Sequence, residues 1–190
     1  MENQNISIKK AKLSKGGCVE ATYFDAEGNE ICMKGKHKCH NDLKVALAAL
    51  VPYFADLTEQ KEADHIDWTN LESAENVELL RKLNVTGLSI GGDDANRFIT
   101  MTGNRTLMTS RVLNLNSPGV EMDSETFEWS HIDDFDLAVQ GFIEEVKQYI
   151  LDRKWEVLEP SLFDGDPDDP FGEARPTDQV PDIEHPADVA

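Results

Sequence analysis

Cysteine is scarce, with Cys18, Cys32 and Cys39 only, an odd number. So few thiols cannot build a disulfide framework, and the pattern favours reduced cysteines in a cytoplasmic setting. Long apolar runs are missing. The longest, Val45 to Phe54, contains Pro52 and is about half the ~20 residues a membrane-spanning helix needs. The opening Met-Glu-Asn-Gln-Asn lacks the basic and apolar regions of a signal peptide. Catalytic signatures are missing too, with neither a nucleophile elbow nor a zinc-hydrolase helix. Gly91-Gly92-Asp93-Asp94 lacks the Lys-Ser/Thr of a phosphate-binding loop, and its acids would repel phosphate. His65 and His131 each lie near aspartates. His65 reads as part of a polar linker and His131 as helix-start chemistry. The expectation is a non-enzymatic protein with no cofactor.

Metal ligands are poorly arranged. Cys32, His37, Cys39 and His40 lack paired Cys-x-x-Cys spacing, and strand alternation puts Cys32 on the opposite face from His37 and Cys39. Asp164 to Asp169 is dense in carboxylates but lacks the sixth-position Gly and twelfth-position Glu of an EF-hand. No metal site is expected.

Basic residues are few, 18 against 37 acids, for a net charge of −19. The charge is segregated: residues 1–50 carry +2, residues 51–157 carry −12, and residues 158–190 carry −9. Such an excess of acid opposes non-specific binding to phosphate backbones, yet leaves room for a local basic patch.

The pattern predicts an α+β domain over 1–157, an antiparallel sheet with helices on one face. Ile6 and Ile8, Cys18 to Phe24, and Glu30 to Cys39 read as a three-stranded meander with a turn at Asp25–Asn29. Asn41 is the expected cap of a helix whose stripe is Leu43, Leu47, Leu50, Phe54 and Leu57, broken or kinked at Pro52. A linker over 59–83 holds a weaker helix, Leu71 to Leu83. Strands are expected at Asn84–Ile90, Arg97–Thr102 and Arg111–Asn116, with turns at Gly91–Asp94 and Gly103-Asn104 and a short strand at Glu125–Trp129. Asp133 opens a last helix with the stripe Phe135, Val139, Phe142, Val146 and Tyr149. That stripe lies on the earlier one without a gap, which points to duplication of a strand-strand-strand-helix unit, 5–58 and 84–150.

Six of the eight prolines fall in residues 158–190, with ten acids and few large apolar residues. That composition cannot offset its ordering entropy, and a disordered acidic tail is expected.

Two features point to binding. Lys34, Lys36 and Lys38 alternate on one strand, and Lys10 and Lys12 on a near neighbour, so five lysines could share one sheet face. Such a patch suits nucleic-acid phosphates or an acidic partner; the plain alternative is a solvated surface. No clear aromatic platform accompanies it: Tyr23 and Phe24 are the nearby rings, and one should be core. In the tail, Leu162 and Phe163 stand before Asp164, Asp166, Asp168, Asp169 and Phe171, the composition of a docking peptide.

Ser161-Leu162-Phe163 resembles the Leu-Phe peptides by which bacterial replication and repair proteins dock on the sliding clamp, without their opening Gln. Asp166-Pro167-Asp168-Asp169-Pro170-Phe171 resembles the acidic tips of bacterial single-stranded DNA-binding proteins, although 19 residues follow it here. Val85–Asp94, Thr100–Gly103 and Val112–Pro118 resemble uncharacterised phage and prophage proteins from replication and recombination gene clusters, over residues 84–155. These resemblances imply an accessory protein of DNA metabolism that binds single-stranded nucleic acid or a protein partner by its lysine face and recruits partners by its tail. The rival expectation is an acidic DNA mimic that blocks a host nuclease or defence factor.

Overall fold

The computed structural model describes residues 6–92, 97–122 and 128–155. Met1–Glu156 packs as one unit. The expected tail, and with it the docking residues Leu162, Phe163, Asp164, Asp166, Asp168, Asp169 and Phe171, lies outside the described residues.

The strands are β1 (Ser7–Leu13), β2 (Cys18–Phe24), β3 (Glu30–Lys38), β4 (Leu83–Gly91), β5 (Phe98–Thr106), β6 (Val112–Asn116) and β7 (Val120–Glu121). The helices are α1 (Asn41–Ala49), α2 (Val51–Leu57), α3 (Ala74–Leu80) and α4 (Ile132–Leu151). All strand pairings are antiparallel, in the order β3-β2-β1-β4-β5-β6, with β7 also on β5. The fold is therefore α+β, an antiparallel sheet covered on one face by helices.

Period-two alternation decides which face is covered. Ile8, Ala11, Val19, Ala21, Val85, Leu88, Ile99 and Met101 point inward and are buried. They meet the stripes of the helices: Leu43, Leu47, Leu50 and Phe54 on one side, Phe135, Val139, Phe142, Val146 and Tyr149 on the other. Burial of this shared core is what holds the two layers together. Among the described residues, no helix is long and apolar enough to cross a membrane.

Two meanders, β1-β2-β3 and β4-β5-β6, join through their first strands, and each is followed by helix. Each first strand is bulged against its second, between Ile8 and Lys10 in β1 and between Val85 and Gly87 in β4. The two halves thus share element order and the place of the bulge.

Local chemistry differs from the sequence pattern at several points. The cap of α1 is His40, not Asn41: its Nδ1 accepts from the Asp42 amide at 3.3 Å. At Pro52 the helix breaks as its sequence predicts: α1 ends at Ala49, and Pro52 sits in the first turn of α2, where a missing N–H costs nothing. The linker helix is shorter than Leu71–Leu83. Ser73 caps it, accepting from the Asn76 amide, while Leu83 belongs to β4 and Val77 is exposed. Leu80, Leu83 and Leu71 of the expected stripe pack in one apolar cluster, and Asn76 adds a polar anchor: the buried amide donates to the carbonyls of Asp67 and Asn70 and accepts from the Asp67 amide.

Gly103-Asn104 is no turn. It lies inside β5, because a Cβ at Gly103 would sit 2.5 Å from the Asn84 carbonyl and 2.8 Å from the Phe54 ring. Glycine there serves close packing between sheet and helix. The turn comes later, where the Leu107 amide donates to Arg111 O. Pro118 breaks the edge into β6 and β7, and Ser117 bridges the break by bonding Met101 through both its backbone and its hydroxyl. Of the short strand expected at Glu125–Trp129, residues 125–127 lie outside the described residues and Trp129 is not in a strand.

Candidate nucleic-acid interface

Helices cover one face of the sheet, so the outward residues of each strand form a continuous second face. Register places them in rows. One row runs Lys34, Glu20, Lys12, Gly87, Thr102, Asn116 from β3 across to β6. The next runs Cys32, Thr22, Lys10, Ser89, Thr100. Lys10, Lys12 and Lys34 are thus brought together. With Glu20, Thr22 and Cys32 they line a shallow depression of about 510 Å³.

Glu20 is the one acid within this group, opposite lysine on both sides. Lys12 Nζ lies 2.8 Å from Glu20 Oε2. The Lys12 hydrogen bond, with Lys34 adding attraction, holds the Glu20 carboxyl below its usual range. Glu20 is therefore ionised at neutral pH and offsets one of the three lysine charges.

Lys36 is exposed one outward position further along β3. Lys38 lies beyond a register shift that leaves Cys18 opposite Lys38 while Glu20 is opposite Lys34, so β3 carries two extra residues there. Lys36, His37 and Lys38 are consequently all exposed, and Lys38 sits against the β1–β2 turn near Gly17. The inward position just before the shift is Gly35; the Tyr149 hydroxyl fills the space a Cβ would take and donates to His37 O at 2.5 Å. Trp155 pairs with Cys39 and stacks on the His37 ring at 3.9 Å.

The candidate metal ligands are not gathered. Cys32 is on the open face, Cys39 is buried in the core, His37 stacks on Trp155 and His40 caps α1. Among the described residues, no group of three metal-ligating side chains occurs. His131 is the cap residue of α4 and stacks on Trp68 at 3.6 Å. His65 ends a short 3-10 turn, Ala63–His65.

The other half of the open face is chemically different and was not singled out from sequence. Asn84, Asn104 and Asn114 fall in one register row across β4, β5 and β6. Thr100, Thr102, Asn116 and Ser89 continue a surface of amides and hydroxyls. Two phenyl rings also face outward. Phe98 is 41% exposed. Phe24 is half-buried, with Lys9 Nζ 5.4 Å from its ring centre, while Tyr23 packs on the core. The signal for Phe98 was present: in Phe98-Ile99-Thr100-Met101-Thr102, the phenylalanine is in phase with the polar residues.

The helical layer has the opposite sign. α4 alone carries Asp133, Asp134, Asp136, Glu144 and Glu145 against one lysine, Lys147. Fold and site define an open-faced antiparallel sheet protein with a lysine-rich half and a neutral hydrogen-bonding half. No family model, curated protein or solved structure matches the chain.

Proposed function

We propose that the protein binds single-stranded nucleic acid across the open face of its sheet, as a non-enzymatic, phage-type accessory protein of DNA replication or recombination. The observation that carries this reading is the meeting of Lys10, Lys12 and Lys34 in one depression of a chain whose net charge is −19. A cationic surface kept apart from so much acid suits a polyanion, and a flat open sheet lets an extended strand lie across it. Residues 158–190 supply the recruiting segment, and their negative charge weakens binding by competing electrostatically with the ligand.

The test is a fluorescence-anisotropy titration of a labelled single-stranded oligonucleotide. Binding through Lys10, Lys12, Lys34 and Lys36 gives a slope of log affinity against log salt of about −2.8, so affinity falls about 50-fold between 50 and 200 mM salt. The chain shortened to residues 1–157 binds more tightly than the full chain at low salt. Absence of binding by either form at 50 mM salt ends the proposal.

Glu20→Gln gives a second, opposite-sign check. It removes the one acid between Lys12 and Lys34, whose charge opposes a polyanion in the depression. Affinity for the same oligonucleotide rises at 50 mM salt, with the salt slope unchanged because the four lysine contacts stay the same. Unchanged or weaker binding counts against the depression as the contact surface.

The acidic helical layer favours a second reading, mimicry of nucleic acid toward a basic protein. In that case a basic partner co-purifies with the chain and is displaced by added DNA.

A further inference from the structure

Lysines explain attraction to phosphate but not a preference for single strands. The open face also carries Phe24 and Phe98 at the same end of the sheet. Phe24 pairs with Ser7 and Glu30, and Phe98 pairs with Gly91 and Glu121. Three strand spacings separate β2 from β5, so the two rings stand about 14 Å apart, with β1 and β4 between them.

Both rings are held in place. Phe98 lies on the backbone of Gly91: a Cβ there would be 2.1 Å from Phe98 Cζ and under 2.8 Å from both Cε atoms. Covering Gly91 is the structural role of the ring, yet 41% of the residue stays exposed. Phe24 has Lys9 over its ring, and Lys9 reaches that position because the bulge between Ile8 and Lys10 turns it out of register. The positions between are small or polar, Gly91 and Ser89 on β4, so nothing bulky on that strand stands between the rings.

We infer that Phe24 and Phe98 are stacking platforms for the bases of single-stranded DNA whose phosphates lie on Lys10, Lys12 and Lys34. This rests on the nucleic-acid reading above and assigns to it the groups that contact bases. The spacing exceeds one base step of about 3.4 Å, so the rings take bases that are not adjacent. Stacking is blind to base identity, and the flanking Thr100, Thr102 and Ser89 offer hydroxyls to whatever base edge arrives. A duplex keeps its base faces inside and gains nothing from the rings.

The test compares two probes of about 15 nucleotides, oligo-dT and an abasic deoxyribose-phosphate strand of equal charge, on the full-length chain. The parent protein binds oligo-dT more tightly than the abasic strand by about tenfold or more per engaged ring. Phe24→Leu/Phe98→Leu keeps apolar cover over Gly91, erases that difference and leaves abasic binding unchanged. Gly91→Ala displaces the Phe98 ring and weakens oligo-dT binding as Phe98→Leu does, although residue 91 itself offers no side chain to the ligand. Equal affinity of the parent for both probes overturns the stacking assignment while leaving the lysine contacts standing. So does an undiminished preference for oligo-dT in the double variant. Failure of the parent to bind either probe overturns both readings together.

Discussion

The triple variant Lys10→Glu/Lys12→Glu/Lys34→Glu is expected to bind a single-stranded oligonucleotide roughly 500-fold more weakly than the parent at 50 mM salt. Each lysine that neutralises a phosphate releases about 0.7 of a counterion on a single strand, which is worth about eightfold at that salt. Three such contacts multiply, and added repulsion from the new carboxylates increases the loss. The salt slope should fall in magnitude by about 2, because three of the four contacts have gone. Stability is touched far less. The three side chains lie on the solvent-facing side of the sheet, away from the core formed by Ile8, Ala11, Val19 and Ala21. Two like-charge cross-strand pairs arise, because Glu20 then faces Lys12→Glu on one side and Lys34→Glu on the other, each costing up to about 1 kcal/mol. Anisotropy titrations at several salt concentrations, beside a thermal melt, read both quantities. A loss under about fivefold would show that the depression is not where the ligand lies.

Much of this surface was legible in the sequence, because alternation in a strand fixes faces without further information. Lys10, Lys12, Lys34 and Lys36 follow from it directly, as do the buried stripes of α1, α2 and α4. Alternation does not show where register shifts: β3 carries two extra residues opposite Val19, which carries Lys38 further along the strand, to the β1–β2 turn. No local signal marks that bulge except Gly35, whose missing Cβ makes room for Tyr149, more than 100 residues away in the chain. Gly103-Asn104 misled for a related reason. Glycine and asparagine together suggest a turn, but this glycine answers to the Phe54 ring above it and this asparagine to its row on the open face. The linker was legible only in part. Leu71, Leu80 and Leu83 pack as the stripe suggested, but two polar anchors, Asn76 inside the chain's own turns and Glu62 on a distant arginine, leave no mark in apolar periodicity.

That arginine supplies a large stability effect for a single change outside the apolar core. Arg105 grips Glu62 with both ends of its guanidinium, Nη2 to Oε1 at 2.6 Å and Nη1 to Oε2 at 2.7 Å, and Nη1 also reaches Gln60 Oε1 at 2.9 Å. The two side chains are only 16% and 11% exposed. Arg105→Leu leaves the Glu62 carboxylate nearly buried without its partner, which costs about 3 kcal/mol or more. For a domain of this size the melting temperature should fall by about 6–12 °C. The double variant Glu62→Leu/Arg105→Leu should regain most of that loss, since a closely packed apolar pair replaces an ion pair at little net cost. The Arg105 hydrogen bonds hold the Glu62 carboxyl below its ordinary range, and the pair raises the guanidinium, which stays charged throughout. A carboxyl whose folded value is depressed adds stability above its unfolded value of about 4.3 and loses it as pH falls through the folded value. The parent should therefore lose more stability than the double variant on acidification below about pH 5, and the two should run parallel near pH 7. Urea midpoints across that range decide the matter; a single variant melting within about 2 °C of the parent would remove the clamp from the account. The clamp also bears on the open face. Arg105 points to the helical side of β5, the same strand that presents Phe98, Thr100, Thr102 and Asn104 on the other side. Because Arg105 lies on the side of β5 away from that surface, ligand affinity in the Arg105→Leu variant should hold while the chain is folded and fail at its lowered melting temperature.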